Sequence, residues 1–331
     1  MVSWPPFGGR DSLYYPTPAT GDPLCQVTRI SRLQSIRPPQ LSDFFRLTVL
    51  GAVWGAAFIC IELALVDFSP FAIAAWRIAI GTSALVAVVM LRREPWPRGA
   101  STWRFIALAG LFYNAIPFTI ISWGQQYVSS GMTAVLMSCG PFVALVLSHF
   151  LTRDDRFSFG KLLATVLGFS GVVVLIGGEA LAGDALRISG QLAMVVAVTC
   201  YVISSLVIRR IGGVSPVMIS ASVCATSAVY MLPMLVVFGE PFPQVSRFSS
   251  LAALVFLGLV PTAAAYVLRV QIVKEVGATF LAQVSYLVPL FGLLWSWLFL
   301  GQAPGGTTWV ALVLILGGLG ASRLATARVG G

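Results

Sequence analysis

The sequence predicts an all-α integral membrane protein in which ten transmembrane helices form two inverted five-helix repeats. Three observations support this prediction: an apolar composition, a series of apolar runs of membrane-spanning length, and an alternation of basic loops. Of the 331 residues, 57% are hydrophobic and only 10% are charged, and the mean hydropathy is +0.89. A soluble domain carries about 25% charged residues because its surface faces water. Most of the surface of this chain must therefore face lipid.

Apolar runs long enough to cross about 30 Å of hydrocarbon follow one another from Phe44 onward. The predicted spans are residues 45–66, 70–91, 103–124, 129–150, 159–178, 188–208, 215–238, 249–270, 277–300 and 305–323. Residues 1–42 are rich in Pro, Gly and Arg and lack the apolar core of a signal peptide. They predict a disordered cytoplasmic tail, and residues 325–331 predict a second, short tail.

The basic residues test this division of the chain, because cytoplasmic loops hold most of the Lys and Arg of a membrane protein. With the N-terminus inside, all but three of the 21 Lys and Arg residues fall in or beside inner loops. Arg187 and Arg247 fall in outer loops, and Arg77 lies within the second span. We therefore expect a bacterial inner-membrane protein with both termini in the cytoplasm.

The chain divides into two similar halves, residues 43–182 and 183–324. Three short motifs recur in order: Ser69-Pro70 as Ser215-Pro216, Gly131-Met132-Thr133 as Gly277-Ala278-Thr279, and Pro141 as Pro289. Because each half has an odd number of spans, the second copy is inverted. Inverted repeats are typical of transporters that bind substrate near the bilayer midplane. The alternative is a duplication that only enlarges a helical bundle.

Two ionisable residues lie within the first two spans. A charge at the centre of a span costs about 2.5 kcal/mol or more, so Glu62 and Arg77 are candidate functional residues. One interpretation is a structural ion pair between them. The other is that Glu62 binds a proton or a substrate amine, with Arg77 as its partner or as a carboxylate clamp. His149 fits an interfacial position, with a proton relay as the alternative.

Polar and aromatic residues deep in the spans are candidates for the lining of a cavity: Trp54, Tyr113, Asn114, Tyr201, Tyr266, Gln283 and Tyr286. Hydrogen bonding between helices is the alternative use of such side chains. Four prolines predict kinked helices: Pro117, Pro141, Pro261 and Pro289. Gly51 and Gly55 predict close helix packing. A small polar or zwitterionic substrate suits a pocket with so few charges.

Several functional classes are excluded by the composition. The basic residues are scattered, whereas a nucleic-acid surface needs a basic stripe. The five cysteines lie far apart and His149 is the single histidine, so we expect no metal and no cofactor. The sequence lacks a phosphate-binding Gly-rich loop followed by Lys, so nothing in it supports an ATP-driven pump. We find no constellation of acids or nucleophiles for an enzyme. The sequence leaves open whether two copies form a homodimer.

Several short motifs are similar to those of a known protein family. They are Trp54-Gly55, Ser69-Pro70 followed by Trp76-Arg77, Ser129-Ser130-Gly131, Gly168 and Gly171, and Phe299-Leu300-Gly301-Gln302. With these motifs the chain resembles the ten-span EamA-type branch of the drug/metabolite transporter superfamily. The resemblance implies export or exchange of amino acids and related metabolites. The sequence departs from the family pattern at Asp154 and Gln302, where Glu is usual, at Glu62, where Lys is common, and at Cys200-Tyr201, which replaces Trp-Gly.

These observations predict a secondary transporter that moves a small polar metabolite by alternating access around a midplane cavity. An amino acid or related compound, moved outward, is the cargo that the resemblance implies. The alternative is a membrane protein with a structural or assembly role and no cargo.

Overall fold

Helix α1 opens a bundle whose helices follow the predicted order of spans. The computed structural model describes residues 37–151, 163, 166–175, 184–208, 210–238, 244–281 and 283–329. Every regular element within these residues is helical, which confirms the all-α prediction. We number the helices α1 (Leu41–Ala64), α2 (Pro70–Arg92), α3 (Ala100–Gly110, Leu111–Ala115 and Ile116–Gly124), α4 (Ser130–Met137 and Gly140–Leu151), α5 (Val166–Leu175), α6 (Ala185–Ile208), α7 (Pro216–Phe238), α8 (Phe248–Leu257, Gly258–Ala264 and Ala265–Glu275), α9 (Ala278–Leu281 and Val284–Leu300) and α10 (Gly306–Val329).

Six of these helices, α1, α2, α3, α6, α7 and α8, are long and apolar enough to cross a membrane. The described parts of α4, α5, α9 and α10 contain shorter apolar segments. The ten-span topology therefore remains a prediction. Of the predicted N-terminal tail, residues 1–36 lie outside the described residues, and α1 already begins at Leu41. At the other end, α10 continues to Val329, beyond the predicted end of the last span.

The outward surface of the bundle is apolar. Val229 on α7, Phe299 on α9 and Val313 on α10 are 69%, 70% and 67% exposed, respectively. Soluble monomers seldom expose large contiguous apolar patches. This surface suits contact with hydrocarbon, in agreement with the apolar composition.

The two Ser-Pro motifs begin helices in the same way. The Ser69 hydroxyl accepts a hydrogen bond from the Ala72 N–H at 3.3 Å, and the Ser215 hydroxyl accepts one from the Met218 N–H at 3.2 Å. In both helices the proline is the first helical residue, where no N–H is needed. The sequence repeat thus has a structural counterpart in two matched N-caps of α2 and α7.

Helices α3 and α8 each contain a wide π-helical turn near the middle, at Leu111–Ala115 and Gly258–Ala264. Pro261 lies inside the second turn, and Pro117 follows the first by two residues. A proline removes a backbone hydrogen bond and clashes with the preceding turn. A π turn accommodates such an interruption, so the kinks predicted at Pro117 and Pro261 take this form.

Helices α4 and α9 are instead divided into two segments. The break in α4 falls between Met137 and Gly140, just before Pro141. The break in α9 falls between Leu281 and Val284, and Pro289 lies inside the second segment. Helix α7 also contains an internal proline, Pro233, which the sequence analysis did not single out.

Polar contacts define two ends of the bundle. At the first, which we call the hairpin end (residues 65–69, 125–129, 244–247 and 301–305), Asp67 accepts hydrogen bonds from the Ser246 hydroxyl at 2.5 Å and the Arg247 N–H at 3.0 Å. At the second, the tail end (residues 37–40, 93–99, 210–215 and 275–277), Ser215 donates a hydrogen bond to Glu94. Because Ser215 precedes α7 and Glu94 follows α2, these two helices run in opposite directions.

Several helix contacts of one half have mates in the other. Three contacts have a mate elsewhere in the bundle. The α1–α9 contact corresponds to α6–α4, the α3–α6 contact to α8–α1, and the α3–α7 contact to α8–α2. Two further contacts, α2–α7 and α4–α9, join a helix to its own counterpart in the other half. Exchanging α1–α5 with α6–α10 leaves this set of contacts unchanged.

Small residues bring α1 and α9 close together. A Cβ atom added at Gly55 would lie 2.8 Å from the backbone nitrogen of Gly292 and 2.9 Å from the Cβ of Phe291. At Gly51 an added Cβ would lie 2.6 Å from the Cβ of Leu287. Backbones approach this closely where side chains are absent, which confirms the packing role predicted for Gly51 and Gly55.

Gly55→Ala therefore tests the contact between α1 and α9. We expect a loss of about 1–3 kcal/mol in the free energy of unfolding, since the backbone of the facing helix cannot move aside cheaply. Thermal unfolding of detergent-solubilised protein measures the effect. Gly320→Ala in α10 is the matched control, because nothing lies within 4 Å of an added Cβ there. An equal response of the two variants would contradict the close packing.

Candidate substrate-binding site

Three of the predicted cavity residues lie together in the interior of the bundle. The π turn of α3 carries Tyr113, whose ring centroid is 5.6 Å from that of Tyr201 on α6 and 5.1 Å from that of Tyr266 on α8. Both contacts are edge-to-face, the arrangement that aromatic rings prefer. We call these three residues the tyrosine cluster. It joins one helix of the first predicted half to two helices of the second.

Arg269 lies against the tyrosine cluster. Its guanidinium carbon is 5.6 Å from the ring centroid of Tyr266 and 6.0 Å from that of Tyr113, within the range of cation–π contacts. Arg269 lies at the end of the predicted span 249–270 and is counted among the basic residues in or beside inner loops. In the structure α8 continues for six residues beyond it, to Glu275. Arg269 follows Tyr266 by three residues, a spacing that puts both side chains on one face of a helix. This spacing is the feature of the sequence that indicates a contact between them.

Arg77 lies on the other side of the cluster and is only 8% exposed. Its Nε–H donates to the Thr262 hydroxyl at 2.8 Å, and its guanidinium carbon is 3.8 Å from the ring centroid of Phe118. It also interacts electrostatically with Tyr201 and Tyr113. Thr262 belongs to the π turn of α8 and donates in turn to the carbonyl of Leu257. The π turn thus supplies the acceptor for a buried cation.

The predicted ion pair between Glu62 and Arg77 is not formed. Glu62 accepts hydrogen bonds from the Ser130 N–H at 3.1 Å and from the amide nitrogen of Gln302. Glu62 lies in the last turn of α1, whereas Arg77 lies about two turns into α2. At a rise of about 1.5 Å per residue, the two differ in depth by about 7 Å. That difference, and the different helices that face them, keep the two side chains apart.

Glu62 belongs instead to a polar network at the hairpin end. The Ser130 hydroxyl lies 3.2 Å from that of Ser296, which donates to the Gln302 side-chain oxygen at 2.8 Å. This network joins α1, the start of α4 and the end of α9. Glu62 and Gln302, two of the positions at which the sequence departs from the family pattern, are therefore in direct contact.

Asn114 is buried next to Tyr113 and contacts α7. Its side-chain nitrogen donates to the Ser227 hydroxyl at 3.0 Å and lies 3.6 Å from the Cys224 sulfur. Its side-chain oxygen has no hydrogen-bond partner among the described residues. The described contacts are those of a residue that joins two helices.

The other predicted cavity residues lie on α1 and α9. Trp54 is half-buried against an apolar cluster formed by α1, α8 and α9. Gln283 is half-buried and precedes the second segment of α9, and Tyr286 packs against the main core. The ring contacts described for Tyr113 do not include Trp54 or Tyr286. The side chain of His149, and Asp154 as a whole, lie outside the described residues.

A pocket of about 140 Å³ lies at the hairpin end, away from the tyrosine cluster. Its lining residues are Tyr127, Val128, Ser129, Met132, Arg187 and Gln191. Gln191 is fully buried, and its side-chain nitrogen is 3.2 Å from the Met132 sulfur. Its side-chain oxygen has no partner among the described residues. Gln191 lies near the start of the predicted span 188–208 but is not among the predicted cavity residues.

Ion pairs join α1 to α8 at the tail end. Arg37 contacts Asp43 at 2.6 Å, and Arg46 contacts Glu275 at 2.8 Å. The hydrogen bond to Asp43 is the main reason that the pKa of Arg37 is raised. At the hairpin end, the hydrogen bond from Ser246 lowers the pKa of Asp67 to about 2, so this carboxylate is ionised at neutral pH.

A bundle of membrane-length apolar helices that encloses arginines and tyrosines defines an integral membrane protein with polar groups in its interior. The model of the EamA-like transporter family matches residues 45–177 and again residues 188–322. The chain therefore belongs to the EamA-like transporter family, as the resemblance predicted.

Named relatives agree with this assignment. The uncharacterized transporter YdfC of Bacillus subtilis is 26% identical over 81% of this chain and 86% of its own length. A probable terminal-alkyne amino-acid exporter of Streptantibioticus cattleyicolor is 24% identical over 82% of this chain and 91% of its own length. A protein of known crystal structure is similar in fold, with a TM-score of 0.62 and 22% identity over 88% of this chain and all of the other.

Thr262→Val tests the support of Arg77 by the π turn. The change keeps the shape of the side chain but removes the acceptor, so a buried N–H loses its partner at a cost of about 1–3 kcal/mol. Thermal unfolding measures the loss of stability. Thr48→Val is the control, because the Thr48 hydroxyl is exposed and bonds only to the carbonyl of Phe44. A Thr262→Val protein as stable as this control would contradict the role of Thr262.

Proposed function

We propose that this protein is a secondary transporter that moves a small polar metabolite, an amino acid or a related compound, out of the cell by alternating access. The observation that supports this proposal is the tyrosine cluster, which lies between polar networks at the two ends of the bundle. Its rings come from α3 of one predicted half and from α6 and α8 of the other. A site shared by both halves changes its accessibility when the halves move relative to each other.

The contacts at the two ends are suited to opening in turn. At the hairpin end, Glu62 meets Gln302 and Asp67 meets Ser246. At the tail end, Arg46 meets Glu275. The side chains of Arg46 and Glu275 are 39% and 41% exposed, and an ion pair at such positions is worth about 0–1 kcal/mol. The contacts of Glu62 and Asp67 are hydrogen bonds to neutral side chains. Breaking one set while the other stays formed would expose the tyrosine cluster to one side at a time.

The mirrored helix contacts and the opposite directions of α2 and α7 support two inverted five-helix halves, which we place at residues 43–182 and 183–324. The two π turns are candidate hinges, because both occur beside the tyrosine cluster and π turns are frequent at functional sites. The proposed export of amino acids or related compounds is supported by the relative named as a probable amino-acid exporter.

Flux through proteoliposomes tests the transport proposal. We expect saturable uptake of at least one compound from a panel of labelled amino acids and related carboxylates. Tyr113→Ala should reduce the rate at least tenfold, since Tyr113 contacts both other rings of the cluster. Tyr230→Ala on α7 is the control, because this half-buried tyrosine takes no part in the cluster. Absence of saturable flux for the whole panel would favour a structural or assembly role instead.

Glu62 is the candidate residue for proton coupling, and Glu62→Gln tests it. If Glu62 carries the proton, the variant should lose accumulation driven by a pH gradient but retain exchange at equal pH on both sides. Asp184→Asn is the matched control, because the Asp184 carboxylate contacts Arg187 near the start of α6 and lies outside the network of Glu62 described above. Equal gradient-driven rates for wild type and Glu62→Gln would remove Glu62 from the mechanism.

A further inference from the structure

The tyrosine cluster lies between two guanidinium groups. Thr262, Tyr266 and Arg269 follow one another along α8 at the spacing of a single helix face. Thr262 holds Arg77, so the guanidinium groups of Arg77 and Arg269 lie at opposite ends of this face. Seven residues of helix span about 10 Å. Arg77 is nearer the hairpin end and Arg269 is nearer the tail end.

Neither guanidinium is paired with a carboxylate among the described residues. Each of the six acidic residues that the structure describes has another partner, near one end of the bundle: Asp43 meets Arg37, Glu62 meets Gln302, Asp67 meets Ser246, Glu94 meets Ser215, Asp184 meets Arg187, and Glu275 meets Arg46. The cluster is thus a region of positive potential.

Removing a cation from water costs several kcal/mol unless an opposite charge compensates it. Cation–π contacts with the rings of Phe118, Tyr113 and Tyr266 stabilise the two guanidinium groups by about 0.5–2 kcal/mol each. This leaves a buried cation at Arg77 and a half-buried one at Arg269 without a counter-charge among the described residues. Such an arrangement favours the binding of an anion.

The cluster also contains a hydroxyl that is ready to bind a ligand. Tyr266 is 5% exposed. Its hydroxyl lies near Tyr113 and Arg269, but no described residue makes a hydrogen bond of normal geometry with it. An unsatisfied buried hydroxyl costs about 1–3 kcal/mol. A bound acceptor next to Arg269 would remove this cost.

We propose that Arg77 and Arg269 bind the carboxylate of a small organic acid without a free ammonium group, such as an N-acylated amino acid or a 2-hydroxy or 2-oxo acid. The carbon portion of this acid would lie against the tyrosine rings. This inference rests on the transport function proposed above and narrows its substrate class. A carboxylate matches the planar donor pattern of a guanidinium.

The charge arrangement disfavours a zwitterion. Two like charges 4 Å apart repel by about 4 kcal/mol at an effective dielectric constant of 20, and no described acid is present in the cluster to bind an ammonium. Along α8, Arg269 lies seven residues, or about 10 Å of helix rise, beyond the Thr262 that holds Arg77, an offset that favours one carboxylate at a time over a single phosphate held by both. The carboxylate would pass from Arg269 to Arg77 as the tail end closes and the hairpin end opens.

Small aromatic ligands of different charge, with two aliphatic carboxylates, test the proposal. The probes are 3-phenylpropionate, N-acetylphenylalanine, phenylalanine, phenethylamine and phenyl phosphate, with N-acetylleucine and 4-methylpentanoate as aliphatic carboxylates. A ligand that binds the folded protein raises its melting temperature. We expect the carboxylates without ammonium to stabilise the full-length protein and to bind at least tenfold more tightly than phenylalanine. Equal or tighter binding of phenylalanine, phenethylamine or phenyl phosphate would overturn the proposal, as would no binding of any carboxylate at millimolar concentration.

Variants at Arg269 separate ligand binding from a structural role. Arg269→Gln should weaken binding of 3-phenylpropionate at least tenfold but leave the neutral amide 3-phenylpropionamide unaffected, whereas Arg269→Lys should restore part of the preference for the anion. Arg98→Gln, at an exposed loop position, is the control. A purely structural role would change both ligands alike. An unchanged preference for the anion in Arg269→Gln would overturn the assignment of Arg269.

The two proposals fail in different ways. Saturable flux of phenylalanine that does not change in Arg269→Gln would overturn the carboxylate site but leave transport intact. Absence of saturable flux for every probe would remove transport itself, and the carboxylate site with it.

Discussion

Within the apolar part of the bundle, every backbone polar group must find its partner inside the protein, because lipid supplies none. This constraint explains why the described residues are helical, since a helix satisfies its own backbone groups. It also explains the caps at Ser69 and Ser215. At Pro261, where a backbone hydrogen bond is lost, the helix widens into a π turn, and the Thr262 hydroxyl in that turn becomes the acceptor for Arg77.

Close packing follows a second constraint. Lipid is as apolar as the helices, so association depends on shape and on interhelical hydrogen bonds more than on burial. Gly55 and Gly292 let α1 and α9 approach until backbone atoms meet. On α3, Gly110 contacts the side chains of Thr226 and Ser227 on α7 in the same manner. Small residues thus occur at both of these helix contacts.

The distribution of charge gives the molecule its chemical character. The described acids are near the ends of the helices, where Arg37, Arg46, Arg187 or neutral hydrogen-bond donors meet them. The arginines without described carboxylate partners flank the aromatic rings in the interior. A solute that enters the cluster would therefore be selected by its charge before its shape, because electrostatic interactions are stronger in a medium of low dielectric constant.

The sequence by itself determined the helical class, the apolar surface and the order of the helices, and it singled out Glu62 and Tyr113 as candidate functional residues. It could do so because composition, periodicity and Ser-Pro motifs act locally. Only the tertiary structure decided the partners: Glu62 meets Gln302, and Arg77 meets Thr262 across 185 positions of sequence. Helix periodicity defines the face on which a residue lies. The helix that meets that face depends on packing between distant segments, which no local pattern encodes.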